Sequence, residues 1–488
     1  MRDVVLNSRL TGNKLLATVV IVGIALALAS ANAGLTVASI LLAYVLVKLL
    51  WRPGEPPVLL YALGFQWVQA SILIFFADLQ NVTLEEMGAD NLEAGGDMIG
   101  AATWLTLMSL LVIALGIRLA VGPNRKFEAQ PALETITAPL QVQRLFYASL
   151  GAIALSSVLT AFGFLVAGLS EPVRGLVLIR WVIYYLLAYT VFSQRRGYQQ
   201  LTIVLAVELS IGFLGFFSDF RTVLIMTLMA AMAAPNALHG IRFRSVVAIV
   251  TLTASLGVVW QSIKSDYRIF LNQGSMGQEI LVSPSDQFME LVTLIGGLTP
   301  ENLMAGARSL IYRIQFVDFF GATMGMVPKY IPYENGKLWF EAIEHVLAPR
   351  LFNPSKPVIN DSDRTTEYSG MNVARGEEGS SISMGYIAET YIDFGPVAMA
   401  IPLFVWGLWV GWVYRILTRS ARYPPFAYGC AAALITQNAA LVEQSNIKMV
   451  GSMLVGFLVL YLVQKYLAGK LLHLLLTPVE AGVVRRVA

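Results

Sequence analysis

Twelve runs of about 20 predominantly apolar residues follow one another along the chain, and hydrocarbon admits very few folds for such runs. Inside a bilayer every backbone N–H and C=O must be bonded within the protein, so helices are expected for each run. The runs fall near 15–31, 35–50, 58–77, 98–120, 145–168, 175–193, 198–217, 220–234, 245–262, 395–414, 426–442 and 450–472. Composition bears on whether the chain is instead a soluble domain with one anchor. It is 13% charged over 488 residues, where a soluble domain carries about a quarter. The deficit is spread along the whole chain, which excludes the single-anchor arrangement. The fold class is therefore all-α: a polytopic membrane protein with about twelve transmembrane helices. A formal net charge of +3 is too small to point to nucleic acid as a partner.

Charge asymmetry orients the runs. Arg2, Arg9 and Lys14 precede the first, so MRDVVLNSRLTGNKLL reads as the flank of a spanning helix rather than of a removed signal peptide. Lys48 and Arg52; Arg118, Arg125, Lys126 and Arg144; Arg195 and Arg196; Arg242 and Arg244; and Arg415, Arg419 and Arg422 occupy later connections, and Arg485 and Arg486 end the chain. Alternating spans put all of these on one side. The opposite side receives Asp78 to Asp97, an acidic loop with neither lysine nor arginine. Both termini are thus expected in the cytoplasm. The chain divides into residues 1–262 with spans one to nine, a large structured outer loop over 263–394, and residues 395–488 with spans ten to twelve and a cytoplasmic tail. Glu301 to Phe320 shows apolar residues near helical spacing, so this loop is expected to fold as a cap on the outer membrane surface.

Few residues can carry chemistry. Cys430 lies alone within an apolar run, and His239, His345 and His473 are too scattered to hold a metal. Arg221, in FFSDFRTVL, stands where spans seven and eight meet. Facing lipid it would cost roughly 2.5–3.5 kcal/mol, so it either pairs with Asp219 or binds an anionic group. Arg268, Arg308, Arg313, Arg350 and Arg364 populate the outer loop. Guanidinium forks suit phosphate and diphosphate, although any single exposed arginine is usually only solvated. Glu389 and Asp393, in AETYIDFG, share a helix face, where one could accept a proton from a hydroxyl or both could merely favour a helix start. Arg180 and Glu208, within spans six and seven, are expected to pair with each other.

VLAPRLFNPSKPVIND followed by SSISMGYIAETYIDFG resembles the later outer loop of bacterial O-antigen (Wzy-type) and oligosaccharide repeat-unit polymerases. The family's Pro-Arg, Lys-Pro and Glu-x-Tyr-x-x-Phe-Gly elements correspond to Pro349, Arg350, Lys356, Pro357, Glu389, Tyr391, Phe394 and Gly395. FSDFR resembles its small-polar-Arg turn. The Arg-x10-Gly pattern of some members is absent, since Arg313 and Gly325 miss it by one residue. The resemblance implies a metal-independent glycosyltransferase of the inner membrane, without cofactor, joining undecaprenyl-pyrophosphate-linked oligosaccharides on the outer face alongside a partner that sets chain length. It also implies Arg221, Arg268, Arg313 and Arg350 as ligands for pyrophosphate and glycan, Glu389 as base and Asp393 as a second carboxylate. An O-antigen-ligase-like transferase and a flippase of lipid-linked oligosaccharide are the alternatives.

Overall fold

Apolar runs of this length satisfy their backbone only as helices, and the structure, a computed structural model, forms them accordingly. It describes residues 16–91, 95–122, 140–165, 169–214, 219–234, 242–275, 280–348, 356, 360–374, 381–419 and 423–475. In chain order the helices are α1 (Leu16–Ala27), α2 (Ala33–Leu50), α3 (Val58–Gln80), α4 (Leu84–Asn91), α5 (Ile99–Val121), α6 (Val142–Leu165), α7 (Ser170–Gln194), α8 (Tyr198–Leu214), α9 (Phe220–Ala233) and α10 (Arg242–Leu271). They continue as α11 (Pro284–Gly296), α12 (Pro300–Ile314), α13 (Val317–Met326), α14 (Lys337–Leu347), α15 (Asp361–Ser369), α16 (Tyr386–Ala398), α17 (Ala400–Arg419), α18 (Pro424–Asn438), α19 (Asn446–Leu462) and α20 (Ala468–Leu475). No strand forms among the described residues.

Eight helices are long and apolar enough to cross a membrane. The other four expected spans coincide with the shorter helices α1, α8, α9 and α18. In α10 only 11% of the most apolar stretch is buried, so this helix turns an apolar surface outward that water would not tolerate. The protein is membrane-embedded. Its helices approach through small residues, as expected where lipid gives no hydrophobic push. A methyl group at Gly411 of α17 would stand 2.7 Å from the Ile117 carbonyl of α5, so the two backbones nearly touch. Arg180 and Glu208 pair, with Arg180 Nε donating to Glu208 Oε1 at 2.7 Å, which removes two charges from lipid at once. Several arginines that set the expected orientation act as a collar on α5. Arg419 donates to the Val121 carbonyl at 2.9 Å, and Arg118 and Arg52 both reach Gly122 O, matching cations to the helix's negative end.

Beyond α10 the chain folds back onto the bundle. α12 runs antiparallel to α10: Leu310 packs on Gly257, while Ser262 donates to the Asn302 carbonyl at 3.1 Å. The chain then turns at Gln315 and Phe316, where the Phe316 amide donates to Gln69 O at 3.3 Å. Gln69 lies eleven residues before the end of α3, so the turn sits about 16 Å along the axis below that end. α13 climbs back, bringing Gly321 and Gly325 against Gly95 at the start of α5. The pair thus forms a re-entrant hairpin wedged among the membrane helices. A surface cap is what a hydropathy reading expects, because α12 alternates polar and apolar faces and is too short to be recognised as descending.

Candidate functional site

Two glutamines in α3, Gln66 and Gln69, are buried where an apolar helix would gain most from leucine. They are hydrogen-bonded to backbone that has left helical geometry. Gln66 Nε2 donates to Ala439 O at 2.9 Å, and Tyr386 OH donates to Gln66 Oε1 at 2.6 Å. The Val442 amide donates to Gln69 Oε1 at 3.0 Å. Residues 439–445 are the non-helical link between α18 and α19. Non-helical backbone at such depth survives only when buried in protein or lining a cavity, and these side chains supply its partners. Gly385 closes the packing on the far side. Its φ of +91° favours glycine, and a Cβ there would lie 2.6 Å from Val442 O.

Along 441–446 the candidate residues meet. Leu441 lines a narrow crevice of ≈ 60 Å³ with Tyr61, Arg221, Thr222, Ile225, Thr436 and Gln437. Arg221 lies over the Phe65 ring at 5.7 Å, while the neighbouring Asp219, near enough to feel its charge, accepts from Thr222 Oγ1 at 2.7 Å. Its side chain thus lines the crevice beside an aromatic face. Two residues on, Glu443 accepts from Arg313 Nη1 at 2.9 Å. Arg313 comes from α12, which packs on α10, the helix that carries Lys264 and Arg268. At the end of the link the Asn446 amide donates to Glu389 Oε2 at 2.8 Å. Arg350 lies outside the described residues.

Glu389 is 1% exposed. Burial pushes its pKa up to about 8, opposed by Arg364 and the Asn446 amide and assisted by Asp361 and Asp393. Arg364 lies 4.0 Å from Glu389 Oε1 through Nη1 and donates to Glu341 through Nη2 at 2.9 Å. Arg364 Nη1 and both ends of the Asn446 side-chain amide are buried without a hydrogen-bond partner among the described residues, so unused polar capacity surrounds the carboxyl. On the neighbouring flank Asp361 pairs with Lys448 at 2.7 Å and accepts from Ser445 Oγ at 3.3 Å.

Asp393 serves a different neighbour. Its two oxygens accept the Leu338 and Trp339 amides at 3.0 and 2.8 Å, capping the N-terminus of α14 from another helix. The four-residue spacing does put both carboxylates along one helix, yet each meets a different helix start: Glu389 that of α19, Asp393 that of α14. Lys356 is likewise occupied, donating to the carbonyls of His345 and of Ala348, the latter at 2.8 Å.

Lys264, Asp361, Glu443 and Lys448 escape a reading of the sequence. Glu443 had a signal: Gln437, Asn438, Glu443, Gln444, Ser445 and Asn446 form a polar string between two apolar runs, unusual for a connection with nothing to bind. Residues 301–470 match a family model described as Domain of unknown function (DUF8712), which takes in α12, Glu389 and the link but not Arg221 or Arg268. No curated protein and no solved structure matches the chain significantly.

Proposed function

We propose that the protein is a glycosyltransferase of the bacterial inner membrane that joins oligosaccharide repeat units carried on a polyprenyl diphosphate, with both termini in the cytoplasm and the site toward the outer face. The observation that carries this reading is the convergence of Arg221, Arg313 and Glu389, distant in sequence, on the link 441–446. Such a reaction needs cations for a departing diphosphate and a base for a hydroxyl, and those are the groups assembled. The acceptor oxygen bonds to the donor's anomeric carbon as the bond from that carbon to the diphosphate oxygen breaks. The hydroxyl proton passes to Glu389, and the diphosphate leaves as an anion held by Arg313, Arg268 and Arg221. A carboxyl whose pKa is near 8 is well matched to taking a proton close to neutral pH. Asp393, with both oxygens on backbone amides, is assigned to holding α14.

A second reading rests on the break between α18 and α19. Interrupted helices meeting inside a bundle are also how transporters build binding sites, which favours a flippase of lipid-linked oligosaccharide. Adding purified protein to a lipid-linked repeat unit and sizing the glycan separates the two. The transferase gives a ladder of lengthened products. Unchanged glycan length, with carrier crossing the bilayer of reconstituted vesicles, would establish the flippase instead. Reporter fusions near Asp363 should read outside and near Arg125 inside; an inside signal at Asp363 defeats the assigned topology.

A further inference from the structure

We propose that Arg364 is the positioning residue of Glu389: one arm of its guanidinium is anchored on Glu341, and the other takes hold of the Glu389 carboxylate when it is ionised and releases it when it carries a proton. The consequence for turnover rests on the reaction proposed above; the guanidinium shared between two carboxylates does not.

α15 is made of polar residues, yet Asp361, Ser362, Thr365, Tyr368 and Ser369 are all buried. Hydrogen bonds to the segment ahead of α16 hold it there: the Ile382 amide donates to Ser362 Oγ at 2.9 Å, and Thr365 Oγ1 donates to the Ile382 carbonyl at 2.8 Å. A charged side chain carried into such a place must find an anion, and Arg364, its side chain 14% exposed, stands between two. Nη2 donates to Glu341 of α14 at 2.9 Å. Nη1 lies 4.0 Å from Glu389 Oε1, about 1 Å beyond hydrogen-bonding reach, and is buried without an acceptor. A buried charged N–H left unbonded is costly, so an ionised Glu389 draws that arm in. A protonated Glu389 exerts no such pull, and Glu341 still balances the charge of the guanidinium. The other charged groups around Glu389 are committed. Lys448 of α19 pairs with Asp361 at 2.7 Å, and Asp393 accepts two amides from α14. That leaves Arg364 as the cation that meets Glu389 among the described residues, and Glu341 as the group that competes for it. Removing the cation or the competitor should therefore move the ionisation of Glu389 in opposite directions.

The test is an infrared titration of the detergent-purified full chain, which follows the C=O band of protonated carboxyls; the Glu389 component is the one missing from Glu389→Gln. Its midpoint should lie near pH 8 in the wild type. Arg364→Met should move it up by about one to three pH units, and Glu341→Gln should move it down by on the order of one. The pH dependence of first-product formation should shift the same two ways. Should Arg364→Met not accumulate, Glu341→Gln decides alone, because the Glu341 side chain is 37% exposed and its neutralisation leaves Arg364 and Glu389 in place. A midpoint unmoved in either variant, or moved the same way in both, overturns the proposal. Midpoints that part as expected in a protein that forms no polymer leave the role of Arg364 standing and remove only the polymerase reading. Polymer formed with unmoved midpoints does the reverse.

Discussion

Glu389→Gln separates a proton-accepting carboxylate from one that merely caps a helix. The wild-type carboxyl, with its pKa near 8, is about one-tenth ionised at pH 7 and about nine-tenths ionised at pH 9. A general base works only when ionised, so wild-type turnover should rise about tenfold between those pH values. Glutamine cannot take the proton, and turnover should fall by about 10²–10⁴-fold at pH 9 with the pH dependence gone. The assay is initial-rate formation of the first joined product from a lipid-linked repeat unit, with donor binding measured in parallel and expected to persist. Stability should move the other way. A carboxyl raised from 4.5 toward 8 favours the protonated folded state, so the fold loses stability as pH rises between those values, by up to about 1.4 kcal/mol per pH unit. In the Gln variant, melting in detergent should be flatter over that window. If Glu389 only caps α19, neutralisation costs roughly 0.3–1 kcal/mol and product formation survives. Normal product lengths from the Gln variant, or a wild-type rate flat from pH 7 to 9, refute the assignment as base.

Asp393→Ala should lower stability by about 0.5–2 kcal/mol through loss of the α14 cap while leaving turnover per folded molecule near wild type, read by melting and by rate together. Arg180→Met alone should cost about 3–5 kcal/mol by stranding Glu208 in the membrane, and adding Glu208→Leu should recover most of it in a detergent melting series. Gly385→Ala forces a Cβ against Val442 O at a positive φ, so it should destabilise the link and reduce product formation, whereas alanine at Gly64, which meets nothing within 4 Å, should do neither.

The helices were legible because hydropathy is a local property: eight expected spans coincide with helices long and apolar enough to cross a membrane, and the other four fall on shorter helices. The Arg180–Glu208 pair was legible too, since two charges inside apolar runs have few other partners. What was not legible is depth. α12 reads as an amphipathic surface helix, and only its antiparallel packing on α10 carries Phe316 down to Gln69. The candidate site divides the same way. Arg221, Arg313 and Glu389 stand out singly as costly residues in suggestive places, but their relation runs through Leu441, Glu443 and Asn446, which lie 220, 130 and 57 residues from them respectively in sequence. Glu389 and Asp393 look equivalent at four-residue spacing. Which amide each oxygen accepts is decided by where α14 and α19 begin, and no local pattern specifies that.

A structure of the protein in lipid nanodiscs with a polyprenyl-diphosphate-linked oligosaccharide bound tests the central claim most directly. The account predicts diphosphate within hydrogen-bonding distance of at least two of Arg221, Arg268 and Arg313, and the reacting sugar beside Glu389 at the Asn446 end of the link. Substrate bound away from Glu389 and from these arginines would contradict it.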